Sequence, residues 1–204
     1  MTNKDKIFFW IPKNAGTSIT RQMTLHGFPN HRYDFEDVKR QKFTSGNRHF
    51  GHYYIPALIE EGVIDNEYYN NALKFAVIRN PYDRAVSLWK FGWHRESFEL
   101  FLQRVRRNGV KSPGLYNVTH DRINMCGNQI SWITQNGNLL PDEIIHFETL
   151  DEEMGRLFGV TDLRRANKSV ARESSTYREY YTAGTKALVE ELYEPDLTYF
   201  DYEF

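Results

Sequence analysis

Two unbroken apolar runs, residues 8–11 (Phe-Phe-Trp-Ile) and 75–78 (Phe-Ala-Val-Ile), dominate the hydrophobic pattern of the chain. Runs this short without alternation predict strands buried on both faces. The first runs into Pro12 and the second, after Arg79-Asn80, reaches Pro81, and each then leads into a segment with helical spacing. After the first, residues 17–26 read as a helix with Ile19, Met23 and Leu25 toward the sheet and Gly27 as its stop. After the second, Pro81 suits the first helical position and Asp83 the first turn, predicting a helix over 81–89 that continues toward Trp93. Residues 97–107 place Phe98, Phe101, Leu102 and Val105 on one face at the i, i+3, i+4, i+7 spacing of an amphipathic helix, and Asn108-Gly109 ends it. Residues 143–147 read as a third strand, with Thr149 or Asp151 capping a helix through Phe158. Residues 185–193 predict a helix, and Pro195 opens a short last one.

The stretches between are more polar. Residues 28–45 are irregular, with a short strand at 31–35. Residues 48–54 read as a short strand turning into a loop, 56–61 as one or two helical turns ended by Gly62, and 66–74 as a polar lead-in to the second main strand. Residues 111–121 are loop-like around Pro113-Gly114, 128–134 a short helix, and Asn136-Gly137-Asn138 a turn. Residues 161–175 form a polar, basic connection. Strands alternating with helices predict an α/β fold with a mainly parallel sheet. Without a repeat or linker, residues 1–204 are expected to form a single domain.

Charge and composition narrow the classes. The formal net charge is −1, which argues against a nucleic-acid partner. Cys126 is the one cysteine, which excludes an internal disulfide framework and fits a reducing compartment. The first six residues lead directly into the first strand, and no leader or long apolar span precedes it, so a cytoplasmic protein without a membrane span is expected. Aromatic residues make up 15% of the chain, an abundance suited to core and rim positions.

The candidate chemistry sits where the two apolar runs end. Residues 12–18, Pro-Lys-Asn-Ala-Gly-Thr-Ser, join a strand to a helix start. Outward-pointing N–H groups and the helix dipole make such a start an anion site, most often for phosphate. Lys13 adds a mobile charge, and Thr17 and Ser18 add hydroxyls that serve equally as helix caps. The Gly-x4-Gly-Lys-[Ser/Thr] pattern of nucleotide triphosphate loops is absent, since Gly16 is followed by Thr17 and Lys13 precedes it. Arg79 stands at the end of the second strand, the edge at which open parallel sheets bind ligands.

Pro12-Lys13-Asn14-Ala15-Gly16-Thr17-Ser18 and Arg79-Asn80-Pro81 through Arg84 to Ser87 together resemble the two nucleotide motifs of sulfotransferases that use 3′-phosphoadenosine 5′-phosphosulfate (PAPS). The variant is most similar to the carbohydrate-type branch, the sulfotransferase family 2. The resemblance implies a three-layer P-loop-type fold, a central mainly parallel sheet flanked by helices. It implies a single reaction: in-line transfer of a sulfuryl group from PAPS to an acceptor hydroxyl, expected on a saccharide in this branch, with no metal and with 3′,5′-adenosine bisphosphate (PAP) as product. Lys13 then stabilises the leaving phosphate, and residues 14–18 (Asn14, Ala15, Gly16, Thr17 and Ser18) hold the 5′-phosphosulfate. Arg79 and Ser87 take the 3′-phosphate. Lys168 and Ser169, in the basic connection, resemble the late segment that covers the nucleotide. Gly51-His52-Tyr53-Tyr54 resembles the branch's histidine segment, which makes His52 the base and His49 its helper or substitute. Glu36 and Glu60 are the competing bases. Arg84 is a structural partner or a ligand, and Glu148 matches a family position, with no more than a structural role. Arg104, Arg106, Arg107 and Lys111 form either a solvated helix face or an entry for an anionic sugar. A P-loop kinase-like phosphotransferase and a non-catalytic nucleotide or polyanion binder are the alternative readings. The acceptor's identity and the oligomeric state are not written in the motifs.

Overall fold

A computed structural model describes residues 4–28, 38, 40–109, 122–160 and 174–204. Its strands are β1 (Lys6–Phe9), β2 (Arg48–His49), β3 (Leu73–Ile78), β4 (Thr134–Gln135), β5 (Asn138–Leu139) and β6 (Glu143–His146). Its helices are α1 (Gly16–Met23), α2 (Ile55–Glu60), α3 (Asn66–Asn71), α4 (Pro81–Gly92), α5 (Phe98–Asn108), α6 (Leu150–Phe158), α7 (Ala183–Leu192) and α8 (Glu194–Tyr199). Four strands form one sheet in the order β2-β1-β3-β6, every pair parallel. Lys6 stands beside Leu73, Phe9 beside Ala76 and Ile78 beside His146.

Side chains alternate across a strand, so each apolar run feeds two cores. Phe8, Trp10, Phe75, Val77 and Ile145 face a core closed by Ile19 and Met23 of α1 and Leu150 and Met154 of α6. Ile7, Phe9, Ile11, Ala76 and Ile78 face the other, with residues of α2, α4, α5 and α7. A sheet covered on both faces has no polar side to show, which is why its strands read as continuous apolar runs.

Most helix limits follow local chemistry. Asn80 accepts from the Tyr82 N–H ahead of Pro81, Ser97 accepts from the Leu100 N–H, and Thr182 with Thr185 forms a capping box before α7. Gly27 ends the turn after α1 at φ 82°, and Gly159 ends α6 at φ 67°. Among the described residues no helix is long and apolar enough to cross a membrane.

Several segments differ from the sequence expectation. Leu25 is 81% exposed, because α1 stops at Met23 and a 3₁₀ turn swings residue 25 off the face shared by Ile19 and Met23. Residues 66–71, expected as a polar lead-in, form α3: Asp65 accepts from the Glu67 and Tyr68 N–H groups, and Tyr68 is buried. The helix expected over 128–134 is one 3₁₀ turn, Ile130–Trp132, followed by the β4–β5 hairpin. The hairpin's Asn136-Gly137 corner has both φ angles positive, 51° and 79°, as a two-residue turn requires. No side chain caps α6; a 3₁₀ turn at Phe147–Thr149 leads into it instead. The expected strand at 31–35, the loop at 111–121 and most of the connection at 161–175 lie outside the described residues.

Candidate active site

The chain leaves β1 toward β2 on one side and leaves β3 toward β6 on the other. The two loops therefore part at the carboxyl ends of adjacent strands, the switch point at which open α/β sheets form their ligand crevice. Residues 11–15 form one wall and residues 79–81 the other.

The first loop is strained. Lys13 has φ 69° and Ala15 φ 59°, left-handed conformations that a side chain disfavours. Contacts at three consecutive residues hold it in place. The Pro12 carbonyl accepts from Arg84 Nε at 3.1 Å. The Lys13 carbonyl accepts from Arg79 Nη1 at 3.0 Å. The Asn14 side chain donates to the Val77 carbonyl at 2.7 Å and to Gln129 Oε1 at 2.6 Å. Ala15 is the N-cap of α1 and brings no side-chain oxygen, so the N-cap side chain does not close the helix start. The Asn14 and Ser18 N–H groups donate to the Ile11 and Ala15 carbonyls at 3.4 and 2.8 Å, so the nest that left-handed residues make ahead of a helix falls to the N–H groups of Ala15, Gly16 and Thr17. This donor set fits a phosphate or phosphosulfate.

Gly16 is required by packing. A Cβ there would overlap the Trp10 indole, which passes beneath the helix start. Trp10 in turn organises both candidate histidines. His49 and His52 meet its ring edge-on at centroid distances of 4.9 and 5.2 Å, and both are buried. The Trp10 carbonyl lies 2.9 Å from His52 Nδ1. A carbonyl only accepts, so Nδ1 carries the proton and the lone pair of neutral His52 sits on Nε2. His49 is the reverse: its Nδ1 accepts from the Gly51 N–H at 3.3 Å, so its neutral ring carries the proton on Nε2.

Across the crevice, Arg79 is held from three sides. Its Nε and Nη2 donate to Asp83 Oδ2 at 2.8 and 2.6 Å, its Nη1 donates to Lys13, and its guanidinium lies 4.1 Å from the centre of the Phe147 ring. Asp83, Ser87 and Phe91 follow at four-residue spacing on one face of α4. That face runs alongside Lys13, whose ammonium sits 4.1 Å from the centre of the Phe91 ring. Ser87 is half-buried between these two contacts, Thr17 is half-buried, and Ser18 is nearly buried. With Lys13 and Arg79 against Asp83, the two walls together carry a net charge of +1 from these three side chains before any ligand.

Lys13, Arg79, Ser87 and residues 14–18 thus share one crevice, with His49 and His52 joined to it through Trp10. Lys168, Ser169 and Glu36 lie outside the described residues. Glu60 accepts from Gln135 at the hairpin. Arg84 is buried and donates to three carbonyls, those of Pro12, Met125 and Gly127. Glu148 accepts from the Asn80 N–H and the Tyr202 hydroxyl, each at 2.8 Å, a structural use. Arg104 pairs with Glu96 and Arg106 with Glu191, as on a solvated helix face.

Gln129 escaped sequence reasoning. Fully buried, it accepts from Asn14 and from the Arg79 N–H and donates to the Arg79 carbonyl, so one side chain spans both loops. Asp196 of α8 fixes it by accepting from the Gln129 and Ile130 N–H groups at 2.7 and 2.8 Å. Burial pushes the Asp196 carboxyl up from its ordinary value, against the pull of Arg84 and these donors. No local motif marks either residue.

A parallel α/β sheet with a strained strand-to-helix loop facing an arginine across its switch point is the class of fold and site seen here. The model of the sulfotransferase family matches residues 1–203, and the chain belongs to that family. A crystal structure of a sulfotransferase from Alicyclobacillus acidocaldarius is similar over 98% of this chain and 100% of that one, at 14% identity and a TM-score of 0.43. No curated protein matches the sequence.

Proposed function

We propose that the chain transfers a sulfuryl group from PAPS to a hydroxyl of a saccharide, with the crevice between residues 11–15 and 79–81 as its donor site. The strained loop ahead of an uncapped helix, facing Arg79, carries the reading. Family membership implies the donor, and the resemblance to the carbohydrate branch suggests the acceptor. When bound, PAPS supplies the sulfuryl group and a stable bisphosphate leaving group.

In this reading the backbone N–H groups of residues 15–17 and the Thr17 hydroxyl hold the 5′ end. The Lys13 ammonium balances charge gathering on the bridging oxygen, and it leaves the Phe91 ring to do so. Arg79 keeps free N–H donors for the 3′-phosphate, and Ser87, Lys168 and Ser169 complete that contact. The His52 Nε2 lone pair accepts the proton of the acceptor hydroxyl, while the Trp10 carbonyl stabilises the imidazolium through Nδ1–H. His49, with its proton on Nε2, is a hydrogen-bond donor to the acceptor in its neutral form.

Calorimetric titration with PAP in the presence of a chelator tests the donor site. Binding is expected for the wild type, and Lys13→Ala weakens it by at least about tenfold. His52→Ala keeps PAP affinity and loses about 10²–10⁴ in turnover with labelled PAPS. Binding of magnesium–ATP in place of PAP makes the chain a phosphotransferase. PAP binding with no turnover on any saccharide, phenol or alcohol acceptor makes it a binder only.

A further inference from the structure

We infer that Arg79 positions Lys13 in addition to contacting the nucleotide, and that Asp83 is the group that makes this double role possible. The inference rests on the donor-site reading above and adds a function at the opposite end of the ligand. Residue 13 is a non-glycine residue at φ 69°, so its backbone reverts unless something holds it. The hydrogen bond from Arg79 Nη1 to the Lys13 carbonyl, 3.0 Å long, acts on residue 13 itself, beside the contacts that Arg84 makes at residue 12 and Val77 and Gln129 make at residue 14. It fixes the peptide plane after Lys13 and with it the direction in which the side chain leaves the loop.

The guanidinium can do this because it is itself immobile. Asp83 Oδ2 takes two of its N–H groups, Phe147 covers its face, and the two charged side chains are only 12% and 11% exposed. A guanidinium has five N–H donors. Three are used within the protein, and two remain for a ligand. An arginine that served a 3′-phosphate alone would need no bond to the loop carrying the 5′ end. Here the same planar group touches both, so losing it disturbs a ligand that has no 3′-phosphate at all.

Adenosine 5′-monophosphate (AMP) lacks that phosphate and is the probe. Titrations with AMP and PAP are compared for the wild type, Arg79→Ala, Arg79→Lys and Asp83→Asn, each also in a Lys13→Ala background. Arg79→Ala and Asp83→Asn are expected to weaken AMP about tenfold, the effect of one charge-assisted hydrogen bond. Arg79→Lys restores the charge without the fork and is expected to weaken AMP equally. In the Lys13→Ala background the AMP effect shrinks to about twofold or less, because nothing remains to be aimed. Weakened PAP with unchanged AMP in Arg79→Ala overturns the inference and leaves the donor site standing. Full rescue of AMP by Arg79→Lys, or an equal AMP loss without Lys13, reduces Arg79 to a field or a structural effect and also overturns it. A wild type that binds PAP but not AMP counts against it. A wild type that binds neither defeats the donor-site reading itself. Asp83→Asn keeps the assay decisive if Arg79→Ala fails to fold.

Discussion

Replacing Gln129 by methionine tests whether one buried amide joins the two loops of the site. The change keeps an unbranched side chain of similar length and removes only hydrogen-bonding capacity. Four side-chain hydrogen bonds disappear: from Asn14 Nδ2, from the Arg79 N–H, to the Arg79 carbonyl and to Asp196 Oδ2. The consequences are unequal. Asn14 Nδ2 keeps the Val77 carbonyl at 2.7 Å, and Asp196 keeps two backbone donors. The Arg79 N–H and carbonyl lose these partners at a half-buried position. A buried polar group left unsatisfied costs about 1–3 kcal/mol, so two cost about 2–6 kcal/mol. Apolar burial of the thioether offsets about 1 kcal/mol of this. The expected loss is therefore about 1–5 kcal/mol, with about 3 as the central value, a large part of the ~5–15 kcal/mol that stabilises a typical domain. Urea unfolding followed by tryptophan fluorescence measures it as a lower midpoint at unchanged slope. PAP affinity is expected to fall as well, since Asn14 and Arg79 belong to opposite walls. A midpoint within about 0.5 kcal/mol of wild type, with PAP affinity intact, refutes the argument that Gln129 couples the loops.

Two further outcomes follow from local geometry. Gly16→Ala places a methyl inside the Trp10 indole and is expected to destabilise the fold by about 3 kcal/mol or more, read as a lower urea midpoint together with a shifted Trp emission; a midpoint equal to wild type contradicts the close approach. Asp65 caps α3, and the Tyr68 N–H holds its carboxyl below the ordinary 3.8. A depressed carboxylate stabilises the fold above the unfolded-state value and loses that contribution as pH falls through the folded one. Asp65→Asn is therefore expected to flatten the acid arm of the melting temperature below about pH 5, relative to wild type. An unchanged acid arm shows that the cap is not formed in solution.

The elements that the chain writes locally are legible in the order of its residues. Residues 8–11 and 75–78 announce doubly covered strands, and the Phe98, Phe101, Leu102, Val105 spacing announces α5. The motif residues Lys13, Gly16 and Arg79 are legible because the loop after a strand carries its own signature. Leu25 and residues 66–71 mislead for a local reason: a 3₁₀ turn and an Asp65 cap each outweigh the hydropathy of a few residues.

Parallel strands ending in a tight strand-to-helix loop and in an arginine are thus a property of the linear chain, because such signals need only neighbours a few residues away. Three long-range contacts are not: Asn14 reaches Gln129 across 115 positions, Asp196 steadies Gln129, and Arg79 grips the Lys13 carbonyl. These depend on which strands lie side by side once the chain has folded. A buried amide or carboxylate is tolerated only where crossovers bring it donors and acceptors, and a linear pattern of apolar and polar residues does not carry that pairing.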